Sequence, residues 1–475
     1  MNTPLSYGEQ HALNELMAIF EGQWANGMLP HVRYVPYQSG YRPDPTDWGI
    51  SPAASGLAAL ETSGITQPPI MGICAEIVFQ RLPDPTVHLA EWLTIADGLE
   101  RFHHFLLTDR DPTGEGLVVC LHPWETGTDN SPAFEPLLQA TRAYLAENDI
   151  AIDTFGRADM VHVAVEHRPT AKDYTAYFGL IAIFKQHGYD QRRIAAETPF
   201  LLQDVLFNAL LVDALYATAR LEDELAVLLT PQRPARADEL RQRASANARA
   251  AQRVADSIRR LLWSEADGIF YARDARRGEQ IPVATVSSLI PLLGDIAESR
   301  QGTRLLEHLQ QADEFWTPFP VPSTAATDPA FDPLRYWTGP SWPVPNWLLH
   351  RALRGRAPAL SQQLRDCTLR MIAESEGDPA QWRRRAAAVM AYNSVRGRTT
   401  TPSRQQYQHA WLWDSAVAAV GWTLVEDEPA AFDPASPGPL FWEYYHPYTG
   451  APLGARLMTW TAAVFLDLLA ADGAP

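Results

Sequence analysis

The chain has 475 residues, 46% of them hydrophobic and 20% charged, a composition that buries a sizeable core and excludes disorder and low-complexity fibres. Its 39 Lys and Arg against 56 Asp and Glu leave a net charge of −17, which repels phosphate backbones and anionic lipid, so neither nucleic acid nor a membrane is an expected partner. Cys74, Cys120 and Cys367 are scattered and form no Cys-x-x-Cys pair, which argues against a disulfide framework and a structural zinc site.

The N-terminal stretch has no basic start followed by an apolar run, and no segment reaches the uninterrupted apolar length of a membrane span, so a cytoplasmic enzyme is expected. Helical periodicity covers 6–24, 86–107, 132–147, 200–229, 241–262, 283–296, 342–353, 360–374, 381–392, 415–425 and 460–471. The longest of these puts Val205, Leu206, Ala209, Leu210, Ala217, Leu221, Leu225 and Leu228 on one stripe, with Pro199 before it and Pro231 after. A short β-hairpin is expected over 268–282, where Ile269 and Tyr271 lead into an Arg276-Arg277-Gly278 turn. Many helices with few strand signals predict an all-α fold. With no Gly/Ser linker or charge block to divide it, the chain reads as a single domain over 1–475.

The loops are rich in Trp, Tyr, Pro, Asp and Glu, and four of them hold chemistry-bearing residues. In the first, 121–132, Trp124 stands beside Glu125 and Asp129 on a Gly127 turn. One of these carboxylates is suited to act as a partly desolvated general acid, while simple capping of the next helix by Asp129 or Asn130 is the alternative. The second, Arg335-Tyr336-Trp337-Thr338-Gly339-Pro340-Ser341-Trp342, joins a cation to three aromatics around a Gly-Pro turn. The third runs from Tyr407 through Trp411 and Trp413 to Asp414, and the fourth sets Glu443 among Phe441, Trp442, Tyr444, Tyr445 and Tyr448. Eight of the 15 tryptophans lie in or near these loops, at 124, 337, 342, 347, 411, 413, 442 and 460, so they are clustered rather than spread as core filling. Two carboxylates in surroundings that stack on sugar rings are the minimal kit for glycoside hydrolysis. His103, His104 and His122 lack the His-Glu-x-x-His spacing, so no metal site is read from them.

At these loops the sequence resembles the glucosylglycerate and mannosylglycerate hydrolases of glycoside hydrolase family sixty-three, relatives of trehalases and processing α-glucosidases. Further stretches carry the resemblance: Gln23-Trp24-Ala25-Asn26-Gly27-Met28, Gly64-Ile65-Thr66-Gln67-Pro68-Pro69, Asp204-Val205-Leu206-Phe207-Asn208 and Phe319-Pro320-Val321-Pro322-Ser323. It implies an (α/α)₆ barrel and an inverting hydrolase of a small α-glycoside. Asp129 of Trp-Glu-x-Gly-x-Asp would be the acid, and Glu443 of Glu-Tyr-Tyr the base. Carboxyl groups in such a pair stand about 6.5–9.5 Å apart to admit a water.

By the same resemblance Asp414 would hold sugar hydroxyls, and Trp124, Trp337, Trp342 and Trp411 would wall the sugar. Arg168, paired with Tyr174, would support the sugar or a substrate carboxylate; Tyr41, Gln67, Tyr174, Tyr336 and Tyr407 would line the leaving-group side. One departure is large. The Trp411-Leu412-Trp413-Asp414 segment lies near the N-terminus in relatives, but here it falls within 376–438, expected as a relocated helical hairpin filling its usual slot. No cofactor is implied, since two carboxyl groups suffice. The expected partner is a small glycoside, and the acidic surface with aromatic loops allows a homo-oligomer. A trehalase-like or oligosaccharide α-glucosidase, or a carbohydrate-binding toroid without turnover, are the alternatives. Epimeric glucose and mannose are not separated at this level.

Overall fold

Residues 7–34, 42–58, 60–82, 84–152, 157, 163–373, 441–455 and 458–470 are described by the computed structural model of the chain. The segment 376–438, with Tyr407, Trp411 and Asp414, lies outside them, as do Tyr41 and the expected helices 381–392 and 415–425. Two compact units form: Met1–Val161 with Pro169–Leu305, and His162–Arg168 with Leu306–Pro475.

The first unit is organised by the helix Val205–Leu229, which is buried on nearly every side. A helix apolar all round has no solvent face and must be surrounded. Its neighbours are the helices Met71–Arg81, Leu89–Asp109 and Pro234–Leu261 and the turn-rich stretch Val286–Asp295. Met71–Arg81 comes so close that a Cβ on Gly72 would sit 2.6 Å from the Ala214 carbonyl oxygen, so only glycine fits there. The hub helix starts at Asp204, whose carboxylate accepts the Phe207 N–H at 2.8 Å. One turn on, Asn208 both accepts the Val118 N–H and donates to the Val118 carbonyl, at 2.8 and 2.9 Å. Cys120 bridges to Leu202 as an isolated antiparallel pair. The apolar run 117–121 is thereby pinned to the start of the hub, and it delivers the 121–131 loop from a fixed point.

The expected hairpin is present in shortened form. Arg273–Asp274 pairs antiparallel with Glu279–Gln280, and its other edge takes Leu202–Gln203. Ile269–Phe270 instead pairs with Trp263–Ser264. The 283–296 helix is corrected to 3₁₀ turns over Val286–Asp295, broken at Leu293 and Gly294. Pro291 lacks the N–H that a continued α-helix needs, and Gly294 adopts φ 62°. Helices over Met71–Arg81, Ala171–Gln186, Gln191–Glu197 and Ser299–Gln310 were not expected. In Ala171–Gln186 the buried side chains surround the axis and blur the stripe, although Thr170 and Asp173 form a capping box that marks its start.

In the second unit the helices Pro343–Arg356, Pro358–Ala373 and Thr459–Ala470 pack together. Trp347 donates to Asp467 at 2.8 Å and Arg365 to the Leu468 carbonyl at 2.6 Å. Phe319, Met371, Ile372 and Tyr445 form a core cluster over which Phe441, Trp442 and Phe465 lie. The strand Tyr444–Tyr445 pairs with Pro452–Leu453, and Ser341 bridges to Tyr445 and to Pro322. These pairings draw the 335–342 and 441–455 loops onto one small sheet.

Candidate active site

The 121–131 loop of the first unit is held from within by Glu125. Its carboxylate is fully buried and accepts four N–H groups: Arg110 Nη2 at 2.6 Å and Thr66 N at 3.1 Å on Oε1, and Arg110 Nη1 at 2.8 Å and Leu121 N at 2.7 Å on Oε2. Burial works against its charge, but Arg110 and these hydrogen bonds hold its pKa below the ordinary glutamate value. A carboxylate so enclosed has no lone pair and no opening for a substrate, so Glu125 is a support of the loop.

His122 completes the frame. Its Nδ1 accepts the Trp124 N–H and its Nε2 lies 3.1 Å from the Tyr177 carbonyl, which fixes the Nε2–H form. Burial lowers its pKa to about 4. Gln67 donates to the Trp124 carbonyl at 3.1 Å. Gly127, at φ 74°, turns the chain toward Asp129, which is half-buried and whose carbonyl accepts the Tyr177 hydroxyl at 2.8 Å. The turn Pro132–Phe134 has Ser131 in its cap position. Trp124 is boxed by Tyr177 and Tyr174 at ring separations of 5.4 and 6.1 Å, and Arg157 lies 3.7 Å over the Tyr174 ring.

In the second unit Glu443 is 3% exposed and forked by Arg168, with Nη1 donating to Oε1 at 3.0 Å and Nη2 to Oε2 at 2.8 Å. The Ala455 N–H adds a bond to Oε2 at 2.9 Å. Gly454, at φ +78°, lets that strand pass: a Cβ there would lie 2.5 Å from Oε2. Burial opposes the charge on Arg168, but Glu443, with Tyr336 and Tyr444, raises its pKa above the ordinary arginine value. The Tyr336 ring lies 5.1 Å from the guanidinium, and Tyr336 itself is held at φ 36°, a strained setting for a non-glycine residue. Trp337 stacks on Trp342 at 3.9 Å, and Trp342 stacks on Tyr444 at 4.5 Å. With both ring faces of Trp342 taken by protein, its part in a sugar wall is confined to its edge.

The expected residues thus form two constellations. Asp129, Trp124, Gln67 and Tyr174 gather in the first unit, and Glu443, Arg168, Tyr336, Trp337 and Trp342 in the second. Arg110, Tyr177 and the Gly454-Ala455 backbone were missed, because their roles are contacts between distant segments that no local motif marks. Among the described residues no group of His, Cys, Asp or Glu is arranged to hold a metal ion, and no helix is long and apolar enough to cross a membrane.

Residues 6–393 match the mannosylglycerate hydrolase MGH1-like glycoside hydrolase domain. The chain belongs to this glycoside hydrolase family. It is 33% identical to a mannosylglycerate hydrolase of Thermus thermophilus over 78% of this chain and 82% of the relative. It is 27% identical to a glucosylglycerate hydrolase of Mycolicibacterium hassiacum over 98% of this chain and 88% of the relative. A solved GH63 mannosylglycerate hydrolase from Thermus thermophilus, in complex with Tris and D-glycerate, superposes with a TM-score of 0.69 at 28% identity, covering 97% of this chain and 89% of the other. This likeness and the helical elements agree with the all-α, (α/α)₆-barrel class read from the sequence. The protein is a glycoside hydrolase, and the resemblance seen in its loops extends over most of the chain.

Proposed function

We propose that the chain hydrolyses an α-hexosyl glycerate, with glucose or mannose as the sugar, and inverts the anomeric carbon. The observation that carries this is Glu443, a buried carboxylate fixed at both oxygens by Arg168 and the Ala455 amide within a cage of Tyr336, Trp342 and Tyr444. The names of the two relatives supply the substrate class.

In this reading Asp129, in its protonated form, gives its proton to the glycosidic oxygen as the bond from that oxygen to the anomeric carbon breaks. A water attacks the same carbon from the opposite face and passes its proton to Glu443. The products are a β-hexose and glycerate, and solvent exchange resets the two carboxyl groups. By the family motif alone, Asp414 and Trp411 are assigned to the sugar and Tyr407 and Tyr41 to the leaving group.

The test is turnover of glucosylglycerate, mannosylglycerate and trehalose followed by NMR of the released anomer. A β-anomer from either glycerate substrate is expected. Asp129→Asn and Glu443→Gln should each lower kcat by about a hundredfold or more, since each removes a proton-transfer partner. An α-anomer, or turnover of trehalose alone, overturns the reading.

A further inference from the structure

The fork between Arg168 and Glu443 poses a chemical problem. A carboxylate oxygen has two lone pairs. Oε2 spends both, on Arg168 Nη2 and Ala455 N, and Oε1 spends one on Arg168 Nη1. One lone pair on Oε1 stays open to water, but the proton it takes would neutralise the carboxylate and leave Arg168 without its anion in a pair whose side chains are only 11% and 4% exposed.

The guanidinium is the partner better placed to change its hold. Its Nε makes no hydrogen bond among the described residues, so only one edge of the fork is in use. Its central carbon lies 5.1 Å from the centre of the Tyr336 ring, a cation–π contact that tolerates small shifts of the charge. Glu443, by contrast, is tied through the Ala455 amide and through the Tyr444–Tyr445 strand that follows it. A planar anion arriving with the substrate offers Arg168 the same bidentate match that Glu443 does.

We propose that Arg168 changes partners during the reaction: the carboxylate of the hexosyl glycerate takes the fork, and Glu443 is released to accept the proton of water. This rests on the reading of Glu443 as the base. The substrate carboxylate then acts on the rate of the bound complex. An arginine that only anchored the anion would strengthen binding of ground state and transition state alike and would leave kcat unchanged.

The experiment compares glucosylglycerate with glucosylglycerol, in which a neutral CH₂OH replaces the carboxylate. With wild-type enzyme at saturation, kcat for the neutral substrate is expected to be lower by about tenfold or more. Adding acetate should restore part of that kcat by occupying the fork. In Arg168→Gln the kcat ratio should collapse to about twofold, while KM for the anionic substrate rises. Equal kcat values in the wild type, with the whole preference in KM, overturn the exchange. The wild-type comparison needs no variant, so a misfolded Arg168→Gln does not rescue the idea. Glu443→Gln separates the two failures. If it still turns over both substrates, the base assignment falls and the exchange with it. If it is inactive while wild-type kcat values are equal, only the exchange falls.

Discussion

Replacing Glu125 by Gln tests whether the first loop is built as described. The change keeps the shape of the side chain but removes its charge and turns one acceptor oxygen into an NH₂ donor. Arg110, 1% exposed, then lacks an anion, and breaking a buried pair from one side costs about 3–5 kcal/mol. Whichever way the amide points, its NH₂ faces two N–H donors, either Arg110 Nη2 with Thr66 N or Arg110 Nη1 with Leu121 N. An unsatisfied buried donor costs about 1–3 kcal/mol more, though the terms share atoms and do not add fully. A loss of about 4 kcal/mol is therefore expected, a large part of the ~5–15 kcal/mol that holds a domain folded. Guanidinium unfolding of the variant, compared at the midpoint with wild type and Asp129→Asn, measures it. Asp129→Asn should unfold close to wild type yet be inactive, whereas folded Glu125→Gln should keep more of its turnover. A Glu125→Gln loss under about 1 kcal/mol refutes the buried-pair account. Turnover worse than that of Asp129→Asn means that the acid has been wrongly chosen.

Acid should destabilise the protein through its histidines. His31, His103 and His122 have pKa values lowered to about 4 and His446 to about 3, chiefly by burial. Between the ordinary value of 6.5 and about 4 the unfolded chain holds the extra protons, so stability falls as pH falls, and a denaturation midpoint that stays flat over this range contradicts their neutral burial. Glu222 works in the opposite sense: burial, only partly offset by Arg243 and Asn247, pushes it up to about 7 from 4.5, so its contribution is complete below 4.5 and is lost as pH rises through 7. Glu222→Gln should flatten that decline, which midpoints read between pH 4.5 and 8 would show. Gly454→Ala forces a Cβ to 2.5 Å from Glu443 Oε2 at φ +78°, and is expected to cost about 1–2 kcal/mol and to lower kcat as the carboxylate is displaced, measured by unfolding and by turnover.

Much of the fold was legible because burial leaves a periodic trace. The expected 200–229 helix appears as Val205–Leu229, and 360–374 as Pro358–Ala373, since propensity and stripe agree there. Met71–Arg81 escaped notice because its approach to the hub demands Gly72, a residue that weakens the local helix signal while permitting the packing.

The sequence by itself determined the helical class, the family and the loops that bear Asp129 and Glu443, because motif residues and apolar stripes are local and survive as spacing. It left Glu125 and Asp129 as neighbouring candidates on one turn. The family resemblance chose Asp129 between them, and the tertiary structure adds a physical reason against Glu125 by bringing Arg110, Thr66 and Leu121 onto its carboxylate. Arg168 stands 275 positions from Glu443 and meets it only through folding. An ion pair between distant segments depends on where the core places its two carriers, and neither side chain records that position in its own neighbourhood.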